Sequence, residues 1–148
     1  MYRIVIVSSK PESFLVLAQA LQTYTGIAVE WVASGEEALM LIKRAAPDLM
    51  ILDGNPGEPV DFALVRKIMQ LNALIHVVMV GQLPEKEFHD SAEGLGILMQ
   101  LPPQPGLPEA EALLARLALI GDSFERKEKY EGTARQRGRR DYKGGAIS

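Results

Sequence analysis

The 148-residue chain contains no cysteine and only two histidines, His76 and His89. Disulfide scaffolds and thiolate chemistry are thereby excluded, and a zinc centre has too few soft or imidazole ligands to be expected. No long apolar run opens the chain either. "MYRIVIVSSK" offers one basic residue and four consecutive aliphatics, too few for a secretory h-region or a membrane span, so a cytoplasmic protein without membrane contact is expected. Two fingerprints are missing as well. Gly54, Gly57, Gly94 and Gly96 do not form a GxGxxG motif opening a helix after the first strand, which leaves a dinucleotide site without a signature. Ser8 and Ser9 lie in no GxSxG elbow and have no histidine in a motif with them, so a serine hydrolase is not indicated.

What is present suits one globular domain. Hydrophobic residues make up 47% and charged residues 24%, the mixture from which a soluble core is built. The net charge of −3 conceals an asymmetry. Residues 1–121 hold 8 Lys+Arg against 14 Asp+Glu, and residues 122–148 hold 8 against 5. An acidic body and a basic tail are therefore expected, divided near residue 121.

Along the body, β-type and helix-type patterns alternate. "RIVIVS" (3–8) is aliphatic without polar alternation, as in a strand covered on both faces. Pro11 suits the first turn of a helix carrying Phe14, Leu17, Ala18, Leu21 and Tyr24 at helical spacing. "IAVEWVA" (27–33) reads as a strand along which Val29 and Trp31 alternate. Ser34 and Glu37 then make a capping box for a helix stopped by Pro47. "LMILD" (49–53) is a third strand, followed by Gly54, Pro56, Gly57 and Pro59, a loop cluster. A helix over 60–72, a strand over 75–81 beginning at His76, and a short helix over 84–95 carrying an exposed His89 come next. A strand over 96–101, the turn "PPQPG" and a helix over 107–120 complete the body.

Five such units imply parallel strands with right-handed crossovers and helices on both faces, a doubly wound five-stranded α/β sheet. Functional residues in such sheets gather at the carboxyl ends of the strands, here Ser8, Ser9, Asp53, Gly81 and Leu101. Asp53 is open to three readings: a turn former bonding to the backbone beyond it, a recognition group, or a reactive carboxylate.

"PDLMILD", which ends the third strand on Asp53, together with "SGEEALMLIKRAAPD" before it and "GLGILMQLPP" near the end of the body, resembles the receiver domain of bacterial two-component response regulators over roughly residues 2–120. The resemblance implies the flavodoxin-like (βα)5 fold, with Asp53 standing where the family accepts a phosphoryl group from a histidine kinase. It also implies which positions would assist. The family's acidic pair, which helps hold Mg²⁺, falls on Ser8 and Ser9; its hydroxyl residue on Gly81; its lysine on Leu101; its proline on Pro102; and a metal-facing backbone carbonyl on Asn55.

The departures have physical consequences. Replacing two carboxylates by hydroxyls removes two negative charges from a magnesium pocket. Phosphoryl transfer then loses the cations that position and neutralise the group, and Gly81 lacks the hydroxyl that would respond to it. A degenerate receiver-like signalling domain is the leading expectation, without catalytic residues or a cofactor and acting by protein–protein contact. The alternative is a genuine phosphoacceptor in a phosphorelay, using Asp53 and Mg²⁺. Lys10, directly after Ser8 and Ser9, is a candidate counter-ion for Asp53.

Two further surfaces are candidates. Leu113, Leu114, Leu117, Leu119 and Ile120 exceed what one helix face readily buries, which points to a partner or self-association surface within about 84–120. Arg135, Arg137, Arg139, Arg140 and Tyr142 could touch phosphate backbones or an acidic partner. Five interspersed acidic residues weigh against nucleic acid, leaving an adaptor role through the tail as the weaker alternative.

Overall fold

The structure, a computed structural model, describes residues 1–54 and 61–127. Strands β1 (Tyr2–Val7), β2 (Ile27–Val32), β3 (Leu49–Leu52), β4 (His76–Val80) and β5 (Ile97–Leu101) alternate with helices α1 (Leu15–Gln22), α2 (Gly35–Arg44), α3 (Phe62–Leu71), α4 (Glu85–Ala92) and α5 (Leu107–Leu119). All paired strands are parallel, in the order β2-β1-β3-β4-β5. This is the doubly wound α/β sheet expected from the alternation. None of the described helices is long and apolar enough to cross a membrane.

Local chemistry explains most boundaries. Pro11 cannot donate to a preceding turn, so the chain enters α1 through a 3-10 turn at Pro11–Phe14, closed by the Ser13 N–H on the Lys10 carbonyl. Ser34 caps α2 by accepting from the Glu37 N–H at 3.2 Å. The return half of the box is shifted by one residue, because the Glu37 carboxylate takes the Ala33 N–H at 3.1 Å. Asp61 caps α3 through the Leu64 N–H, and Glu109 accepts from the Gly106 N–H ahead of α5.

The sheet divides the core in two. On one face Ile4, Ile6, Leu49, Ile51 and Leu101 pack with α1 and α5; on the other Val5, Val7, Met50 and Leu52 pack with α2, α3 and Phe88 of α4. The central strands β1 and β3 bury both faces, which is why they read as continuous apolar runs. Edge strand β2 leaves Trp31 40% exposed, so this residue lies at the rim of the core.

Helix α5 corrects an expectation. Leu113, Leu114 and Leu117 are not surplus surface: they are core residues facing α1, and only Leu119 and Ile120 of the five stand exposed, at 81% and 47%. The helix has one broad apolar face, and its neighbour α1 is small enough (Ala18, Ala20) to let that face close. The first residues of the expected tail, 122–127, are described by the structure and are mostly exposed. Residues 122–127 run back along the end of α1, with an antiparallel bridge between Tyr24 and Arg126 and bonds of 2.7 and 2.6 Å from the Thr25 and Lys127 N–H groups to Glu125 and Thr23. Phe124 sets its ring edge-on to Tyr2 at 4.9 Å. The basic residues Arg135, Arg137, Arg139 and Arg140, with Tyr142, lie outside the described residues.

Candidate functional site

Strand order reverses direction between β1 and β3, and at that point the carboxyl ends of the two strands open a crevice. The ladder continues one residue past each strand. The Ser8 N–H bonds to the Val32 carbonyl and the Asp53 N–H to the Val7 carbonyl, each at 3.0 Å. Ser8 and Asp53 are therefore held by backbone bonds at adjacent strand ends, and their side chains meet. The Ser8 hydroxyl donates to Asp53 Oδ2 at 2.7 Å and accepts the Lys10 N–H at 2.9 Å. Among the described residues Ser8 is the one polar side chain in the buried class, 7% exposed. Both hydrogen-bonding roles of its hydroxyl are filled, which is what burial of such a group requires.

Asp53 opens on a cleft of about 640 Å³ between the sheet end, α2 and α3, lined among others by Ser8, Ser9, Ser34, Asp53, Asp61 and Lys67. Leu64 closes its side toward α2, so near to Gly35 that a Cβ there would lie 3.1 Å from the leucine. Among the described residues lining this cleft Lys67 is the one cation, and the sequence reading did not single it out. Its signal was present in the α3 pattern: Ala63 and Lys67 are four apart, and both belong to the lining.

The other expected positions separate. Leu101 is 1% exposed and packs into the α1/α5 side of the core, away from the cleft. Gly81 donates its N–H to the Leu101 carbonyl at 3.0 Å, closing the β4 end against β5. Pro102 is exposed just beyond, and Asn55 lies outside the described residues. No ion pair joins Lys10 to Asp53 among the described residues. The ion pairs among the described residues are Arg3–Glu30, His89–Glu85 and Arg126–Glu111, and Lys10 is exposed. Its backbone is bent into the 3-10 turn, and the place beside Oδ2 belongs to the Ser8 hydroxyl.

A second cleft, of about 570 Å³, lies between α4, β5 and α5. Leu83, Phe88, Ile97 and Met99 contribute apolar surface to it, and Glu85, Glu93 and Arg116 contribute charge. Arg116 bonds to the Leu98 carbonyl of edge strand β5 at 3.0 Å.

No protein-family model matches the chain. Over 116 residues, 75% of this chain, it is 30% identical to "Protein-glutamate methylesterase/protein-glutamine glutaminase 2" of Methanospirillum hungatei. It spans about a third of that protein's length, 33%. Among solved structures, a response regulator from Desulfuromonas acetoxidans is 18% identical with a TM-score of 0.66, over 82% of this chain and 100% of that one. A two-component response regulator from Clostridium difficile gives 20% and 0.66, over 82% and 100%. Chemotaxis response regulator CheY4 of Vibrio cholerae gives 21% and 0.65, over 79% and 98%. At these identities the likeness is one of fold, and it agrees with the observed strand order: the chain has the flavodoxin-like receiver fold of response regulators.

Proposed function

We propose that this chain is a receiver-like signalling domain, cytoplasmic and not an enzyme, that works by contact with a protein partner and without ordinary magnesium-dependent phosphorylation of Asp53. The observation that carries this reading is the Ser8–Asp53 hydrogen bond of 2.7 Å. A neutral hydroxyl, itself buried and fully partnered, stands against the carboxylate at a position where the resemblance would place an acidic residue. The donor set is thin for magnesium, a hard cation held by one or two carboxylates as well as phosphate oxygens and waters: at the strand ends Asp53 alone brings a carboxylate, and Glu36 and Asp61 line the helix side of the cleft. Ser8 and Ser9 bring no charge, and among the described residues no group of three or more His, Cys, Asp or Glu side chains gathers. The buried Leu101 cannot supply a cation to this site, and Gly81 has no hydroxyl to follow a phosphoryl group.

For the partner, the cleft between α4, β5 and α5 offers an apolar floor with charges at its margin. Among the described residues strand β5 also lies at the edge of the sheet, with no strand paired to its outer side. Contact within about 84–120 is therefore proposed on this cleft rather than on the leucines of α5.

The second reading, a phosphoacceptor served by a histidine kinase, draws support from the openness of the cleft at Asp53 and from Lys67, whose ammonium could meet phosphate oxygens there. Incubation with acetyl phosphate and Mg²⁺ followed by intact mass separates the two. No added phosphoryl group is expected. An adduct that is present in the parent and lost in Asp53→Asn would establish the second reading and sink the first. Binding of nucleic acid through the tail, 122–148, would require salt-dependent retention that vanishes when that segment is removed.

A further inference from the structure

The hydroxyl of Ser8 does more than fill a gap beside Asp53. It stands in a directed chain: the Lys10 N–H donates to Ser8 Oγ at 2.9 Å, and Ser8 Oγ–H donates to Asp53 Oδ2 at 2.7 Å. A hydroxyl that gives its proton to an anion becomes a better acceptor, so the two bonds strengthen one another. Lys10 is in turn the residue from which the next turn hangs, since its carbonyl accepts the Ser13 N–H at 3.0 Å. That 3-10 turn, Pro11–Phe14, delivers the chain into α1 and carries Phe14, 1% exposed, into the core.

Among the described residues no comparable hydrogen-bonded route leads from Asp53 toward β4 and β5. Gly81 has no side chain, its N–H is engaged by the Leu101 carbonyl, and the Leu101 side chain faces the α1/α5 core. We propose that Ser8 is a positioning residue that carries the charge state of Asp53 into the turn between β1 and α1, so that the start of α1 is where the fold senses a change at the site. Leu15 and Val16, 50% and 58% exposed, form the surface that this turn carries. The inference deepens the signalling reading and rests on it only for what would alter the charge, whether modification or a partner's contact.

The test uses the full chain, labelled for amide NMR, with Asp53→Asn as a nearly isosteric loss of charge. The Lys10 amide proton is expected to move upfield as its bond to Ser8 weakens, with smaller shifts at the Gly81 and Leu101 amides. Combining Asp53→Asn with Ser8→Ala should abolish the Lys10 response, and combining it with Ser8→Thr, which keeps a hydroxyl, should preserve it. Ser8→Cys keeps nearly the same volume and offers a poorer acceptor; it should leave a reduced response, which covers the case in which Ser8→Ala fails to fold. A Lys10 amide indifferent to Asp53→Asn would overturn the proposal. So would a response undiminished in the Ser8→Ala or Ser8→Cys background, since the charge would then act through space. These readouts need neither phosphate nor partner, so a failed partner search would count against the signalling reading and leave the coupling intact.

Discussion

Strand β1 ends in a buried hydroxyl at each side of the sheet, and the two are treated in opposite ways. At the carboxyl end, Ser8 donates to Asp53 and accepts from the Lys10 backbone. At the amino end, the Tyr2 hydroxyl is buried without a hydrogen-bond partner among the described residues, and Phe124 of the segment that follows α5 packs on its ring. A polar atom held by two bonds transmits what happens to either partner. One held by none is kept in place by packing around its ring, and its oxygen is a cost. The carboxyl end is thus organised by hydrogen bonds, and the amino end by aromatic contact and a returning segment of chain.

The sharpest way to break that contrast is to put charge where the carboxyl end is apolar. Leu101→Lys inserts an ammonium at a site 1% exposed among core side chains, so a loss of about 3 kcal/mol or more is expected in urea unfolding. A much smaller loss would mean that the lysine escapes toward Asp53 and that the two halves of this edge communicate after all. Next in size is the strap at the amino end. Compared with a chain truncated after Lys127, one truncated after Gly121 also loses Phe124, two backbone bonds to residues 23–25 and the Arg126 contacts with Tyr24 and Glu111. Partial burial of one phenyl ring and these bonds suggest a loss of about 2 kcal/mol, softened by rehydration of the Tyr2 oxygen.

At the carboxyl end, Ser8→Ala leaves both Asp53 Oδ2 and the Lys10 N–H without that partner. A cost of about 1–2 kcal/mol is expected, because what is lost is chiefly the satisfaction of the groups left behind. Equal stability of Ser8→Ala and the parent would show that water replaces the hydroxyl, and would remove the distinction between the two ends of the strand.

Much of this was legible beforehand, and what escaped did so for particular reasons. Aliphatic runs bounded by Gly and Pro marked all five strands, and the capping residue Ser34 and the stop at Pro47 framed α2 closely, because those signals act within one turn of chain. The place of Asp53 followed from the rule that βα units expose the ends of their strands. Which side chain would face Asp53 was less accessible. Lys10 and Ser8 are two residues apart, and only the sharp bend into the 3-10 turn decides that the hydroxyl, not the ammonium, reaches the carboxylate. Lys67 depends on the rotation of α3 against α2, set by Leu64 packing near Gly35. The leucines of α5 could not be assigned to core or surface without knowing that α1 lies against them. Phe124 was hidden in a segment whose composition reads as solvated, since one aromatic in a charged stretch gives no periodicity to follow.

The smallest expected change is the most direct test of the contrast. Tyr2→Phe deletes the unpartnered oxygen and keeps the ring that meets Phe124. Removing a buried polar atom that has no hydrogen bond is expected to be neutral, or to stabilise by up to about 1 kcal/mol at neutral pH, opposite in sign to Ser8→Ala. The comparison also has a pH signature. Burial, then the carboxylates of Asp122 and Asp48, raise the Tyr2 hydroxyl well above its ordinary value of 10.0. In the unfolded chain the phenol ionises near that value, while in the folded protein it stays protonated to higher pH. The parent should therefore lose stability progressively as the pH rises above about 10, and Tyr2→Phe should be spared that part of the loss. Parallel urea titrations of the two proteins at pH 8 and at a pH above 10 measure the difference. A gap that fails to widen with pH would mean that the phenol ionises as easily in the folded protein as in the unfolded chain, so that the Tyr2 oxygen is hydrated in solution and the amino end carries no buried, unpartnered hydroxyl.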